Sequence, residues 1–320
     1  LAQLIKLQDY VSRYEQDVYR YPTQYLRLKK QQWEKLKEAW ETNSLEFSQE
    51  WEEIEENKTG ILNKMAKIFK KEDKTEVENK TEEKVDTTLS FAPLLSYKPE
   101  TEVDLKQLYL DQLYSFQLKW ASSTIYEQSD VHPKYYYDER LRTFLQRFPD
   151  NGLLLYEPIL LLKKAPIEME IIFIAPMEVW CLTFLEEEKD AVFLGSNDRF
   201  WLKRSNQKEK KVLNPMISLN RMSKIVQQIF LHHHVDLPIK KAIICRNGYI
   251  DFKEKPYDLS ILEKRAYPKW FEQMRHTHAP LKHMQLKAAK TLLDYCQTAS
   301  FRRLEWEEEN TGVCEEESFR

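Results

Sequence analysis

With 320 residues, 42% hydrophobic and 32% charged, the chain can form one large domain with appendages, or two domains, under a highly charged surface. Its net charge of −3 supplies no global basic field, so any contact with nucleic acid requires a local patch. Only five glycines occur, and neither GxGxxG nor GxxxxGKS/T is present, which excludes the glycine-rich phosphate loops.

Residues 1–57 read as helical. Leu4, Leu7, Val11, Tyr14 and Val18 fall at helical spacing, Tyr21-Pro22-Thr23 breaks the run, and a second helix carries Tyr25, Leu28, Leu36 and Trp40. Trp33, Trp40 and Trp51 suggest a small helical packing unit, with docking to a protein partner or base stacking as further roles. Ile61–Lys71 reads as a short basic amphipathic helix, and the mixed charges from Lys70 to Asp86 read as a disordered linker. Asp104 is the expected N-cap of a helix running to about Gln128, and a further helix from about Tyr135 ends at Pro149-Asp150-Asn151-Gly152.

The pattern then changes to strands. Leu153–Tyr156 and Ile159–Leu162 flank Pro158, which predicts a strand interrupted at a sheet edge. Ile167 to Leu185 predicts a hairpin buried on both faces, with Ala175–Glu178 as its turn and Glu168 and Glu170 on one face of its first strand. Glu186–Asp190 reads as a solvated turn. Short strands follow at 191–194 and 199–203, then a polar loop, Arg204–Lys211. Asn214-Pro215 opens a helix, Ala242–Cys245 is a buried strand, and Tyr249–Phe252 is another. The remainder, from about Ser260 to Arg303, reads as helical, broken at Pro268 and Pro280, with an acidic tail.

Cys181, Cys245, Cys296 and Cys314 form no CxxC pair, so the cysteines read as thiols of a reducing cytoplasm rather than zinc ligands. No apolar run reaches about 18 residues, so no transmembrane segment is expected. The N-terminus has no signal-peptide layout, and a cytoplasmic location is the expectation. His232-His233-His234 reads as a polar helix C-terminus, because adjacent helical residues do not share a face. His276, His278 and His283 read as a surface loop around Pro280. Lys203, Arg204, Lys208, Lys210 and Lys211, together with the basic helix 281–303, form a candidate patch for a phosphate backbone.

Taken in order, the acidic helix Tyr136–Leu141, the hairpin Glu168–Leu185, Phe200-Trp201, Asn214-Pro215-Met216 and the strand from Ile243 resemble the nuclease-related domain (NERD) family, a branch of the PD-(D/E)XK nucleases. The resemblance covers 134–252. It implies an α/β (α+β) fold with a restriction-endonuclease-like central mixed sheet flanked by helices. Around that core the chain divides into a helical N-terminal extension (1–57), a charged linker (58–102), the nuclease-fold domain (103–255), C-terminal helices (256–303) and a tail (304–320).

The resemblance also implies a divalent-metal site of hard oxygen ligands, with a lysine beside the attacking water. Matched position by position, Glu139 takes the place of the helix acid, and Glu170 that of the first-strand aspartate. Thr183 stands where the second carboxylate belongs, Leu185 where the lysine belongs, and Ser218 where a glutamine belongs. Glu139 and Glu170 alone are a weak metal pair, so the expectation is a catalytically degenerate module for binding or scaffolding, with nucleic acid as a candidate partner and no cofactor. An active nuclease using Mg²⁺ or Mn²⁺ would need the displaced E-x-K formed by Glu187 and Lys189, or Glu168 in place of Glu170. A protein–protein adaptor acting through residues 1–57 is the third reading.

Overall fold

The computed structural model describes residues 1–42, 97, 99–163, 165–205, 208–277 and 279–302. The expected linker, the basic helix at 61–71, Trp51, His278 and the acidic tail lie outside these residues. Two compact units are formed, one from the described residues of Leu1–Arg27 and Tyr114–Arg320, the other from those of Leu28–Leu113.

The larger unit is mixed α/β. Its strands are β1 (Gln3–Leu7), β2 (Glu127–Gln128), β3 (Leu153–Tyr156), β4 (Ile159–Leu162), β5 (Ala165–Glu168), β6 (Ile171–Ile174), β7 (Val179–Phe184), β8 (Val192–Leu194), β9 (Phe200–Ser205), β10 (Lys208–Leu213), β11 (Ile239–Cys245), β12 (Tyr249–Asp251), β13 (Leu259–Glu263) and β14 (Phe301–Arg302). Its helices are α1 (Arg13–Gln16), α4 (Glu139–Arg147), α5 (Pro215–His232), α6 (Tyr267–Arg275) and α7 (His283–Leu293), while α2 (Tyr21–Glu41) and α3 (Glu102–Trp120) each have one end in this unit. The main sheet runs β1-β3-β6-β7-β11-β13. β1 and β3 are parallel, as are β7, β11 and β13, and β6 runs antiparallel to both its neighbours.

The expected hairpin forms as β6 and β7 around Ala175–Glu178, and its strands alternate between two buried faces. Phe173, Trp180 and Leu182 share a core with Leu141, Phe144 and Leu145 of α4 and with Trp270 and Met274 of α6. The other face is covered by α5 and α7. α5 offers Met216, Leu219, Met222, Val226, Ile229 and Phe230, a helical stripe, behind an N-cap in which Asn214 Oδ1 accepts from Met216 N at 2.9 Å. Gly152 ends the turn after α4 where only a hydrogen fits, since a Cβ there would meet the Phe173 ring at 2.4 Å.

Five expectations are corrected. Residues 3–7 are a strand, because their place beside β3 buries all five, and Leu4 and Leu7 join the common core. β3 is therefore an interior strand, and the chain after Glu157 turns off into a separate β4–β5 pair. Glu168 ends β5, and so does not share a strand with Glu170. Residues 259–263 form the edge strand β13 rather than helix, and Pro268 begins α6 instead of breaking one, as its missing N–H allows in a first turn. Smaller shifts occur at α3, which is capped by Thr101 (Asp104 N donates to its Oγ1 at 3.1 Å) and stops at Trp120.

β1 is locked by side chains. Leu4 N donates to Gln117 Oε1 at 3.1 Å and Ser12 Oγ donates to Ile5 O at 2.7 Å, so the outer edge of the sheet is covered. Lys6 is fully buried, and its ammonium group donates to Glu15, to Tyr10 O at 2.7 Å and to Thr298 Oγ1 at 3.0 Å. Buried Arg13 lies over the Trp120 ring at 4.0 Å. In the smaller unit, Trp33 packs on Tyr109 (5.3 Å between centroids) and Trp40 Nε1 donates to Pro99 O at 3.0 Å, so both tryptophans act in packing.

Leu4→Ala is expected to lower the unfolding free energy by about 2–5 kcal/mol in a denaturant titration. Removal of residues 1–12 is expected to abolish a single cooperative transition; a truncated chain that melts like the full one would show that β1 is dispensable.

Candidate functional site

The carboxyl ends of β1, β3 and β7 and the amino end of β6 meet at one end of the sheet, where open α/β sheets bind ligands. A cavity of about 340 Å³ opens there, lined by Gln8, Lys134, Arg140, Glu157, Glu168, Glu170 and Phe184 among others. Gln8 (φ 44°) and Glu157 (φ 50°) follow β1 and β3 directly, and both adopt left-handed backbone. Such a conformation costs a non-glycine residue on the order of 1–3 kcal/mol and concentrates at ligand sites. Here Gln8 N donates to Tyr156 O at 3.0 Å and Glu157 N to Glu170 O at 2.7 Å, so backbone bonds hold both residues.

Glu170 stands just before β6. The pairing of Ile171 with Leu182 carries on to set it across from Thr183. Ser218, on the first turn of α5, donates its hydroxyl to Glu170 Oε1 at 2.5 Å. The Thr183 hydroxyl is buried with no partner at full hydrogen-bonding geometry, yet it sits close enough to favour the carboxylate. Burial raises the Glu170 pKa above the ordinary carboxylate value, against the opposing pull of Ser218, Thr183, Arg140 and Arg221. The fold thus brings Glu170, Thr183 and Ser218 together.

Glu139 and Leu185 are not part of this cavity. Glu139 opens α4 and is exposed; the next residue, Arg140, lines the cavity in its stead. Leu185 lies past the end of β7, where its N–H donates to Ile244 O at 2.9 Å. Among the described residues no group of three or more His, Cys, Asp or Glu side chains is placed to hold a metal ion. Hydroxyls and guanidinium groups surround Glu170, and this donor set does not fit a hard divalent cation.

The displaced set does not converge on Glu170 either. Glu187 is bound by Lys203, which also contacts Glu188 Oε1 at 3.2 Å, and neither Glu187 nor Lys189 lines the cavity. The reading of Glu186–Asp190 as a solvated turn is corrected at Glu186. This carboxylate accepts from Arg246 Nε at 2.5 Å and Nη2 at 2.9 Å, and lies 3.5 Å from Arg140 Nε. Both guanidinium groups lie over the Phe184 ring, at 5.3 Å for Arg140 and 5.4 Å for Arg246. Burial works against the Arg246 charge and Glu186 outweighs it, which fixes the pair. The sequence signal was there, a Glu two residues after the β7 aromatic and an Arg directly after β11, but only their pairing gives it meaning.

The proposed basic patch is also rearranged. Arg204–Lys211 is not a loop but the β9–β10 hairpin, with Lys210 across from Lys203 and Glu209 across from Arg204. Lys203 is buried against Glu187 and Glu188, and Arg204 Nε contacts Glu209 Oε1 at 2.6 Å. Lys208, Lys210 and Lys211 stay exposed on β10, which is an edge strand; lysines there discourage pairing with another chain. No helix among the described residues is long and apolar enough to cross a membrane.

No protein-family profile and no solved structure matches the chain. An RNA 2',3'-cyclic phosphodiesterase from Geobacillus stearothermophilus is 56% identical over 41 residues, which are 13% of this chain and 13% of that protein. The chain therefore spans about one eighth of the curated relative it matches.

Because the native fold raises the Glu170 pKa, stability is greatest when this group is protonated and falls as pH rises from the ordinary carboxylate value through the folded one. Glu170→Gln is expected to raise Tm at pH 7 by a few degrees, the gain vanishing below about pH 4. A Tm difference independent of pH in that interval would contradict it.

Proposed function

We propose that the chain is a divergent member of the NERD branch of restriction-endonuclease-like proteins that binds nucleic acid through the cavity at Glu170 and does not cleave it by metal-dependent chemistry. The order of elements supports the fold part of this reading. Helix α4, strands β3, β6 and β7, helix α5 and strand β11 follow one another, with β11 parallel to β7. Position by position, Glu170, Thr183 and Ser218 occupy one corner of the sheet, as the family's acid, second acid and glutamine would.

The observation that carries the functional part is the immediate surroundings of Glu170. A metal-dependent nuclease needs at least two converging carboxylates and a cation beside the attacking water. At this corner the second position is a threonine, the third partner is a serine, and the nearest cations, Arg140 and Arg221, act on Glu170 itself. What the cavity keeps is a set of donors and acceptors suited to binding: Lys134, Arg140, Gln8 and three glutamates.

Purified chain incubated with plasmid, single-stranded DNA and single-stranded RNA in Mg²⁺ or Mn²⁺ is expected to show no cleavage above a buffer control, and to retain single-stranded oligonucleotides on a filter at low salt. Cleavage that disappears in Glu170→Ala would overturn the reading, and so would the absence of any retained oligonucleotide.

A further inference from the structure

Most of the charge in the Glu170 cavity is already matched. Lys134 contacts Glu157 Oε2 at 3.2 Å, the same oxygen accepts from the Tyr135 hydroxyl at 2.8 Å, Arg140 faces Glu186, and Glu170 accepts from Ser218. Two lining groups have no side-chain partner among the described residues: the Glu168 carboxylate and the Gln8 amide. Arg140 meets Glu186 through Nε and also acts on Glu170, and it lines the cavity.

These three groups define the chemistry of a ligand. A polyphosphate would meet three glutamates, and a bare cation would meet Lys134 and Arg140. A molecule that carries one anionic group and a set of neutral N–H donors can meet both kinds of lining group, and a volume of about 340 Å³ lies in the range of small-molecule sites rather than that of a lone ion. A nucleotide has this layout. Among the bases, guanine presents two adjacent donors, N1–H and the 2-amino group, which a carboxylate accepts together, with an adjacent carbonyl for an amide N–H. Adenine, cytosine and uracil each offer a carboxylate fewer such donors. Phe184 is on the same lining, but its ring already carries the Arg140 and Arg246 guanidinium groups, so no stacking contact is assigned to it.

We propose that the cavity seats one guanine nucleotide, with its phosphate on Arg140, its two donors on Glu168 and its carbonyl on Gln8. The assignment rests on the nucleic-acid reading above and deepens it by naming the base. Glu168 is exposed and ends a peripheral strand pair, so its replacement leaves the core intact.

The test is calorimetric titration of the full chain with GMP, AMP, CMP, UMP and inorganic phosphate, together with filter binding of a guanine-rich and a guanine-free oligonucleotide. The expected result is GMP binding at least about tenfold tighter than the other three nucleotides, a preference lost in Glu168→Gln while phosphate binding is unchanged. Gln8→Ala is expected to weaken GMP by a smaller factor. Equal binding of all four nucleotides, or a guanine preference that survives Glu168→Gln, would overturn the assignment. If both oligonucleotides bind equally and GMP shows no preference, the cavity assignment falls alone. If GMP binds selectively and neither oligonucleotide does, the seat stands for a free nucleotide and the nucleic-acid reading falls.

Discussion

The requirement that the β6–β7 hairpin be buried on both faces governs this architecture. A strand pair made of Ile171–Ile174 and Val179–Phe184 has no side it can give to water, so α4 and α6 must cover one face and α5 and α7 the other. That sandwiching brings α5 down over the start of β6, which is why Ser218 reaches Glu170, and brings α4 over the end of β7, which is why Arg140 reaches Phe184. The cavity opens at this corner of the sheet, with Arg140 of α4 and Glu170 before β6 in its lining.

The polar groups at that corner are held by one another more than by solvent. Glu186 fixes two guanidinium groups over one aromatic ring, and Ser218 with Thr183 opposes, without cancelling, the rise in the Glu170 pKa that burial causes. A corner organised in this way recognises groups and orients them. It differs from a metal cage, whose carboxylates converge and tolerate their mutual repulsion only because an ion lies between them.

Local patterns made much of this legible from sequence alone. The hairpin, its turn, the Asn214 cap and the buried strand at 242–245 were all readable, since run length, turn chemistry and capping act over a few residues. Positions 170, 183 and 218 were singled out only through the resemblance, not by any local pattern. What failed depended on distant partners. Leu4, Leu7 and Val11 satisfy a helical period, but burial beside β3 decides the outcome in favour of a strand. The same holds for Leu259–Glu263, which is strand only because β11 offers it an edge. Glu186 looked like one of several turn acids because Arg246 is 60 positions away, and Lys203 looked like a surface cation because its acids come from a different turn.

The pairing of Gln3–Leu7 with Leu153–Tyr156 also bears on how the molecule is made. At bacterial-to-eukaryotic synthesis speeds, the ribosome needs roughly 7–30 s to add the intervening residues. Throughout that interval a segment with three apolar residues, Leu4, Ile5 and Leu7, lacks the strand it will pair with. The single ammonium of Lys6 interrupts it, and a charge amid an unpaired apolar segment is an effective guard against aggregation. The same side chain is later drawn inside and neutralised by Glu15, so one residue protects the young polypeptide and then helps to close the finished one.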